Sequence, residues 1–246
     1  MQQDSPAGIV TGLQLEARIA RRVVEGAVTV CAGPGPARAR EAAEWLAAQG
    51  VGGLVSFGMA AGLVAELGAG VVIVPATVLS ETGTEFVTDL GWRERLLERL
   101  RTELVCTDAP LVTVRQPLAT YLEKVALWAR TQAIAADMES AAIAAVARRV
   151  RLPFTAVRVI CDPVDFPLPP AALAAVDAKG RLNLPGLLRA LWQRPRQIWR
   201  LGELARLSGL ARRSMHAAGR LAGPRFGLTA TVPAPDPHRP IAHTRR

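Results

Sequence analysis

The chain has 246 residues, is 50% hydrophobic and carries a net charge of +9, which allows a sizeable buried core and suits one α/β domain with an appendage. Its three cysteines, Cys31, Cys106 and Cys161, are odd in number and widely spaced, which argues against a disulfide framework and against a zinc site. The start of the chain, MQQDSPAG, lacks the regions of a signal peptide, so we expect a cytoplasmic protein with reduced thiols.

Apolar strands and helices alternate along the chain. The periodicity predicts strands at 8–10, 27–31, 53–57, 71–75, 111–114 and 154–160, and helices at 13–24, 37–49, 92–103, 118–130 and 139–149. This alternation predicts an α/β fold, a three-layer αβα sandwich with a central mixed sheet.

Residues 51–79 form the most apolar stretch and contain a single charged residue, Glu66. Glycines and Pro75 divide this stretch into short pieces. We therefore interpret it as a strand, a helical turn and a strand, and not as a transmembrane helix.

Ligands of such sheets bind in the loops that follow strand ends. Four segments at predicted strand ends contain Glu16; Gly33, Gly35 and Arg38; Gly58 and Met59, in a glycine-bounded turn; and Asp162. Each also has a purely structural interpretation, since glycines form turns, Glu16 suits a surface helix and Asp162 suits a strand cap.

The tetrapeptide Asp137-Met138-Glu139-Ser140 is the least ordinary of the segments. It follows the small, apolar AIAA and precedes the helical AAIAAVA. Carboxylates at a helix start in such apolar surroundings are unusual for a solvated surface, so the pair indicates a site.

The positive charge is confined to the C-terminal segment. Residues 1–178 hold 16 Lys+Arg against 19 Asp+Glu, a net of −3, whereas residues 179–246 hold 14 against 2, a net of +12. Residues 179–222 alternate arginines with leucines and with Trp192 and Trp199. This predicts a basic amphipathic helical extension that either binds a membrane surface or packs on the domain; a nucleic-acid interface is the less favoured third choice. The proline-rich residues 223–246 predict a disordered tail.

The motifs AADMESAAIAAVA and LPFTAVRVICDPVD, in this order and separation, resemble the superfamily of purine nucleoside phosphorylases and methylthioadenosine/adenosylhomocysteine nucleosidases. The resemblance runs from Gly8 to about Asp165. It implies an enzyme that cleaves the N-glycosidic bond of a purine nucleoside, acts without a metal or cofactor, and assembles as a homo-oligomer.

The resemblance also implies roles for single residues. Asp162 corresponds to the acid that protonates the purine at N7, and Glu139 to the carboxylate that binds the ribose hydroxyls. Met138 packs beneath the sugar, Arg158 lies near the ribose and the nucleophile, and Glu16 corresponds to the base that activates water.

One departure from the family pattern concerns the nucleophile. Gly58 and Met59 stand where the nucleosidases have Gly-Ser, so the contact of that hydroxyl with the nucleophile is lost. Gly33, Gly35 and Arg38 are candidate phosphate-binding residues. Whether water or phosphate, as a co-substrate, attacks the sugar stays open at this point.

Within the superfamily, GIVTGLQLEARIA, the DMES motif and the basic extension resemble the hopanoid-associated phosphorylases. This resemblance implies adenosylhopane as substrate and adenine as product, and it slightly favours phosphate over water as the nucleophile. A lipid-linked substrate would also explain the basic extension, which would hold the enzyme at the inner face of the membrane. The alternatives are a soluble salvage enzyme acting on methylthioadenosine, adenosylhomocysteine or a simple purine nucleoside, and a non-catalytic membrane-surface or nucleic-acid adaptor. The presence of Glu16, Glu139 and Asp162 together argues against the adaptor, because a binding module needs no general acid.

Overall fold

The computed structural model describes residues 5–193 and 198–229. The strands are β1 (Ala7–Thr11), β2 (Ala27–Cys31), β3 (Gly53–Gly62), β4 (Val72–Ile73), β5 (Thr77–Ser80), β6 (Glu85–Val87), β7 (Cys106–Thr107), β8 (Leu111–Thr113), β9 (Ala135–Asp137) and β10 (Phe154–Asp162). The helices are α1 (Gln14–Val23), α2 (Pro36–Ala48), α3 (Leu90–Leu100), α4 (Tyr121–Thr131), α5 (Ser140–Val150), α6 (Pro170–Ala174), α7 (Leu184–Gln193) and α8 (Ile198–Ala222).

The strands join in one mixed sheet in the order β6-β5-β8-β9-β3-β10-β4-β7, with β1 beside β3 and β2 beside β1. Side chains of α2 and α5, including Leu46 and Ile143, pack in one apolar core. Side chains of α1, α3 and α8, including Ile19, Trp92 and Met215, pack in a second. The predicted three-layer αβα sandwich with a central mixed sheet is confirmed.

The apolar stretch 51–79 folds differently from its prediction. β3 continues to Gly62 and is followed by turns, not by a helical piece, and the second predicted strand is reduced to Val72–Ile73. β10 pairs with β3 from Leu54 to Ala61, which keeps the glycine-containing half of β3 extended. None of the helices among the described residues is long and apolar enough to cross a membrane.

The C-terminal half of α8 belongs to the core of the fold. Leu207, Ala211, Met215, Ala218 and Ala222 form a buried stripe with helical spacing, and α8 contacts α1, α3 and β10. The packing interpretation therefore describes residues 207–222. By contrast, Trp192 and Trp199, which precede this stripe in the predicted extension, are exposed.

The prediction of a disordered tail from residue 223 onward is wrong for residues 224–228. Pro224–Gly227 form a 3-10 turn, and Phe226 is fully buried with its ring 5.4 Å from that of Phe57. The indole Nε1 of Trp92 donates a hydrogen bond to the Phe226 carbonyl at 2.8 Å. Two apolar residues, Phe226 and Leu228, are enough to anchor the segment despite its prolines. Residues 230–246 of the predicted tail lie outside the described residues.

Candidate active site

The strands that carry the predicted site residues meet at the middle of β3. β1 runs parallel to β3 along Gly53–Ser56, whereas β9 runs antiparallel to its end at Ala61–Gly62. The carboxyl ends of β1 and β9 therefore point toward each other and converge beside Gly58 and Met59. On the other edge of β3, β10 places Arg158 opposite Gly58.

Glu16 lies in the first turn of α1 and is 2% exposed. Its Oε2 accepts hydrogen bonds from the backbone N–H groups of Gly12 at 3.0 Å and Leu13 at 2.8 Å, and its Oε1 accepts one from Met59 at 2.8 Å. Burial raises the pKa of Glu16, against the opposing effects of Arg158 and of these N–H donors. Glu16 is therefore a buried carboxylate aimed at β3 and not a surface helix residue.

Arg158 is the centre of the site and is 1% exposed. Its Nη2 lies 2.8 Å from Asp137 Oδ2 and 3.2 Å from Glu139 Oε2, and it donates a hydrogen bond to Ser56 Oγ at 2.6 Å. Nε donates to Ser140 Oγ at 3.3 Å. A single guanidinium thus joins β10 to β3, to the end of β9 and to the start of α5.

Gly58 and Met59 lie inside β3, so the predicted glycine-bounded turn is wrong. A Cβ atom on Gly58 would stand 2.5 Å from Arg158 Nη1 and 2.7 Å from Glu16 Oε1. A side chain at this position would displace the guanidinium or the carboxylate, which occupy its space. Met59 contributes through its backbone: its N–H holds Glu16, and its carbonyl accepts a hydrogen bond from Arg158 Nη1 at 3.4 Å.

Glu139 is the N-cap residue of α5 and is 5% exposed. Its Oε1 accepts a hydrogen bond from the Gly35 N–H at 3.0 Å, which ties the start of α2 to the site. Burial raises the pKa of Glu139 to about 7; Arg158 opposes this, whereas Asp137 and Glu16 add to it. Glu139 therefore titrates near neutral pH.

Asp137 supports this arrangement, a role that the sequence did not reveal. Its Oδ1 accepts a hydrogen bond from Thr113 Oγ1 at 2.6 Å, and its Oδ2 accepts from the Ser140 hydroxyl. Between the two acids, Met138 is half-buried and packs against an apolar cluster that includes Leu63. Asp137 is fully engaged within the protein, so its function is to hold Arg158 and Ser140 in place.

The candidate phosphate-binding residues lie at the edge of the carboxylate cluster. Gly33 and Gly35 have φ values of +86° and +107°, and a Cβ on Gly33 would stand 2.4 Å from the Ala178 carbonyl oxygen. Arg38 is exposed, donates a hydrogen bond to the Pro34 carbonyl at 3.4 Å, and lines a cavity of about 1080 Å³ together with other arginines. The structure thus brings Gly35 into contact with the cluster and leaves Arg38 on the cavity wall.

Asp162 ends β10 and pairs with a buried lysine that the sequence analysis missed. It is 7% exposed, and its Oδ2 lies 2.9 Å from Nζ of Lys124, which is 0% exposed. Burial raises the pKa of Asp162 to about 6, and Lys124 opposes this rise. Asp162 therefore keeps a protonated fraction near neutral pH, as a general acid requires.

Asp162 is separate from the carboxylate cluster. Arg158 pairs with Gly58 and, across a bulge, Asp162 pairs with Ala61. Because a strand rises roughly 3.3 Å per residue, these three steps of β3 span about 10 Å. The site therefore has two parts, an anionic cluster around Arg158 and an acid with its own lysine.

Comparison with known proteins gives a family and a set of similar structures. The family model of the phosphorylase superfamily matches residues 17–191. Futalosine hydrolase of Helicobacter pylori superposes with a TM-score of 0.66 at 13% identity, over 90% of this chain and 97% of that one. The 5′-methylthioadenosine/S-adenosylhomocysteine nucleosidase of the same organism superposes with a TM-score of 0.66 at 14% identity, over 89% and 97%.

The corresponding nucleosidase of Colwellia psychrerythraea, solved in complex with adenine, superposes with a TM-score of 0.63 at 16% identity, over 89% of this chain and 96% of that one. No curated protein sequence matches the chain. At these identities the structures demonstrate a common fold.

The raised pKa of Glu139 predicts a pH-dependent stability. A buried carboxyl with a raised pKa stabilises the folded state fully below its unfolded pKa, near 4.5, and loses this contribution as the pH rises through about 7. Relative to the native protein, Glu139→Gln should therefore gain about 2 to 3 kcal/mol in free energy of unfolding between pH 5 and pH 8. Urea denaturation at both pH values measures this.

Glu44→Gln is the matched control, because the Glu44 side chain is 45% exposed and pairs with Arg149 at the surface. The difference in free energy of unfolding between Glu44→Gln and the native protein should stay nearly constant between pH 5 and pH 8. If the free energy of unfolding of Glu139→Gln, relative to the native protein, were equally independent of pH, this would contradict the titration of Glu139 near neutral pH.

Proposed function

The chain belongs to the phosphorylase superfamily, and on that premise we propose that it cleaves the N-glycosidic bond of an adenine nucleoside and releases adenine. The observation that carries the proposal is the division of the site into an anionic cluster and a separate buried acid. The proposed chemistry draws on carboxylates and needs neither a metal nor an organic cofactor.

The anionic cluster suits the sugar side of the reaction. As the C1′–N9 bond breaks, positive charge develops on the ribose ring. Glu16, Asp137 and Glu139 surround one arginine, so the cluster is short of positive charge. A cationic sugar supplies what is missing, and Glu139, which has a raised pKa, is suited to bind the ribose hydroxyls. Met138, next to it in the chain, is proposed to pack beneath the sugar.

The buried acid suits the base side. The electron pair of the broken bond goes to the purine, which becomes a good leaving group when Asp162 donates a proton to N7. With a pKa of about 6, Asp162 is partly protonated at neutral pH and its conjugate base is stable after the transfer. The burial that raises this pKa also limits the access of competing water.

The nucleophile that fits the contacts best is water. Three backbone N–H groups hold Glu16, and a carboxylate has about four acceptor positions, so one is left to accept a proton from water. Arg158 already donates from all three nitrogens within the protein, and phosphate would meet several carboxylates. Phosphate as co-substrate, bound by Gly33, Gly35 and Arg38, is the alternative.

For the substrate we propose a lipid-linked adenine nucleoside, adenosylhopane, presented at the inner face of the membrane. The support is a set of exposed apolar side chains on α7 and on either side of it in the chain: Leu182, Leu184, Leu188, Trp192 and Trp199. Arginines are interleaved with these side chains. Apolar and aromatic side chains beside cationic ones are typical of segments that lie on anionic membranes.

A soluble methylthioadenosine or purine nucleoside enzyme is the second candidate. A cavity of about 500 Å³ lies between the loop after Asp162 and α8, and its walls include Asp165, Arg200, Glu203 and Arg206. These charged walls favour a small polar ligand over a polycyclic hydrocarbon. In either case we propose a cytoplasmic enzyme and, from the resemblance, a homo-oligomer.

The first test of the reaction is Asp162→Asn. The amide cannot donate the proton, so adenine release should fall by about 10² to 10⁴-fold while the fold is kept. Liquid chromatography of released adenine, with circular dichroism on the same sample, measures both. Asp108→Asn, at an exposed carboxyl between β7 and β8, should retain nearly full activity; an Asp162→Asn rate equal to it would refute the assigned acid.

The membrane surface is tested by point substitutions, because deletion of 179–222 would remove the buried stripe of α8. Leu188→Ser combined with Trp192→Ser should weaken cosedimentation with anionic vesicles, and binding of the native protein should fall as salt rises. Val105→Ser, at an exposed valine far along the chain from α7, is the control. Native protein that stays in the supernatant with anionic vesicles at low salt would contradict membrane binding.

A further inference from the structure

Lys124 is a fully buried cation outside the carboxylate cluster. It lies on α4, and its Nζ donates hydrogen bonds to three backbone carbonyls: Asp162 at 3.1 Å, Pro163 at 2.7 Å and Phe166 at 3.1 Å. These carbonyls belong to the loop that leaves β10 at Asp162. Lys124 thereby fixes the course of the chain on both sides of the acid.

The ammonium group has three protons. The Asp162 carboxyl is its fourth acceptor, since Oδ2 lies 2.9 Å from Nζ, so it shares these protons with the three carbonyls and is also held by charge. Apart from Lys124, no described residue donates a hydrogen bond to this buried oxygen. The Oδ2 atom is thus held beside a cation and still has its lone pairs available for a proton or a ligand.

The choice of lysine is itself informative. Of the thirty Lys and Arg residues in the chain, only Lys124 and Lys179 are lysines. A compact ammonium group directs three donors to carbonyls on different sides, whereas a planar guanidinium does not. In a chain that uses arginine at 28 of these 30 positions, the buried lysine stands where this geometry is needed.

We infer that Lys124 is a positioning residue for Asp162, which it holds in place through the loop carbonyls and whose ionised form it stabilises after the proton has left. This inference rests on the proposed function, in which Asp162 is the general acid. Lys124 itself touches neither the purine nor the sugar in this account.

The neighbouring charges make Lys124 the dominant partner. On the same strand, Cys161 lies next to Asp162 with its thiol near Ser208 Oγ, and burial raises the pKa of this thiol to about 11, so it stays neutral. From the following loop and α8, the charged groups Asp165, Arg200, Glu203 and Arg206 face a cavity beside the loop. Within the described residues, Lys124 is the cation paired with the Asp162 carboxyl.

The test is Lys124→Gln, with Arg130→Gln, an exposed position on the same helix, as the control. The acid must be protonated, so kcat/KM falls as the pH rises through the pKa of Asp162. Removing the cation should raise that pKa, and the falling limb should move up by at least about 1 pH unit. Arg130→Gln should leave the limb in place. A limb that does not move in folded Lys124→Gln would overturn the inference.

Lys124→Arg separates charge from geometry. It keeps the charge but not the three-carbonyl clamp, so kcat should fall while the limb stays near its native pH; an upward shift of the limb would contradict the inference. In the Asp162→Asn background, Lys124→Gln should cause little further loss, because both act through one group. An equal loss in both backgrounds would reduce Lys124 to a purely structural residue.

A carboxyl ¹³C NMR titration gives a readout that needs no activity. The Asp162 signal is assigned by its loss in Asp162→Asn and followed in the native protein and in Lys124→Gln. A higher pKa in the variant supports the inference even if no adenine nucleoside is cleaved, in which case the proposed function fails alone. Identical titrations would overturn the inference whatever the substrate.

Discussion

The burial of Arg158 is the constraint on which the rest of the site depends. An unpaired guanidinium in the core would be prohibitively costly, so the protein surrounds it with acceptors. Asp137 and Glu139 supply the charge, and Ser56 and Ser140 accept hydrogen bonds. These groups come from three different elements, and one arginine therefore fixes their relative positions.

Two further features follow from that constraint. β3 must approach the guanidinium closely, and this requires the missing side chain of Gly58. Burial is the main reason why the pKa of Glu139 rises to about 7, and Asp137 and Glu16 add to this rise because the cluster holds more carboxylates than cations. A site of this kind gains most when its ligand develops positive charge, as a ribose does when its glycosidic bond breaks. Asp162 lies about 10 Å further along the sheet and has Lys124 as its own charged partner.

Much of the site was predictable from the sequence because its residues stand at the ends of regular elements. Glu16, Glu139 and Asp162 lie at helix starts or a strand end. The local pattern alone also suited a surface helix for Glu16 and a strand cap for Asp162, whereas the resemblance assigned all three to the site, and the structure buries them. Gly58 and Met59 were placed in a turn because glycines usually mark one. Only pairing with β10, which is distant in sequence, keeps them in a strand.

Other features depend on contacts that a local pattern does not contain. The partners of Lys124 lie about forty positions further along the chain, and the rarity of lysine among so many arginines was its one indication in the sequence. The buried stripe of α8 consists largely of alanines, which carry little amphipathic contrast. The arginines of the basic segment therefore dominated the pattern, and the buried stripe was not predicted. In the same way, the prolines around Phe226 indicated disorder and its burial was not predicted.

The most direct test of the account is mass analysis of the sugar product after incubation of the folded protein with adenosylhopane and with methylthioadenosine in ¹⁸O-labelled water, with and without phosphate. The account predicts free adenine and a sugar that carries ¹⁸O at C1′ without any need for phosphate. A sugar 1-phosphate would support the proposed cleavage but would show that phosphate, and not water, is the nucleophile. Both nucleosides recovered intact would contradict the proposed cleavage of an adenine nucleoside.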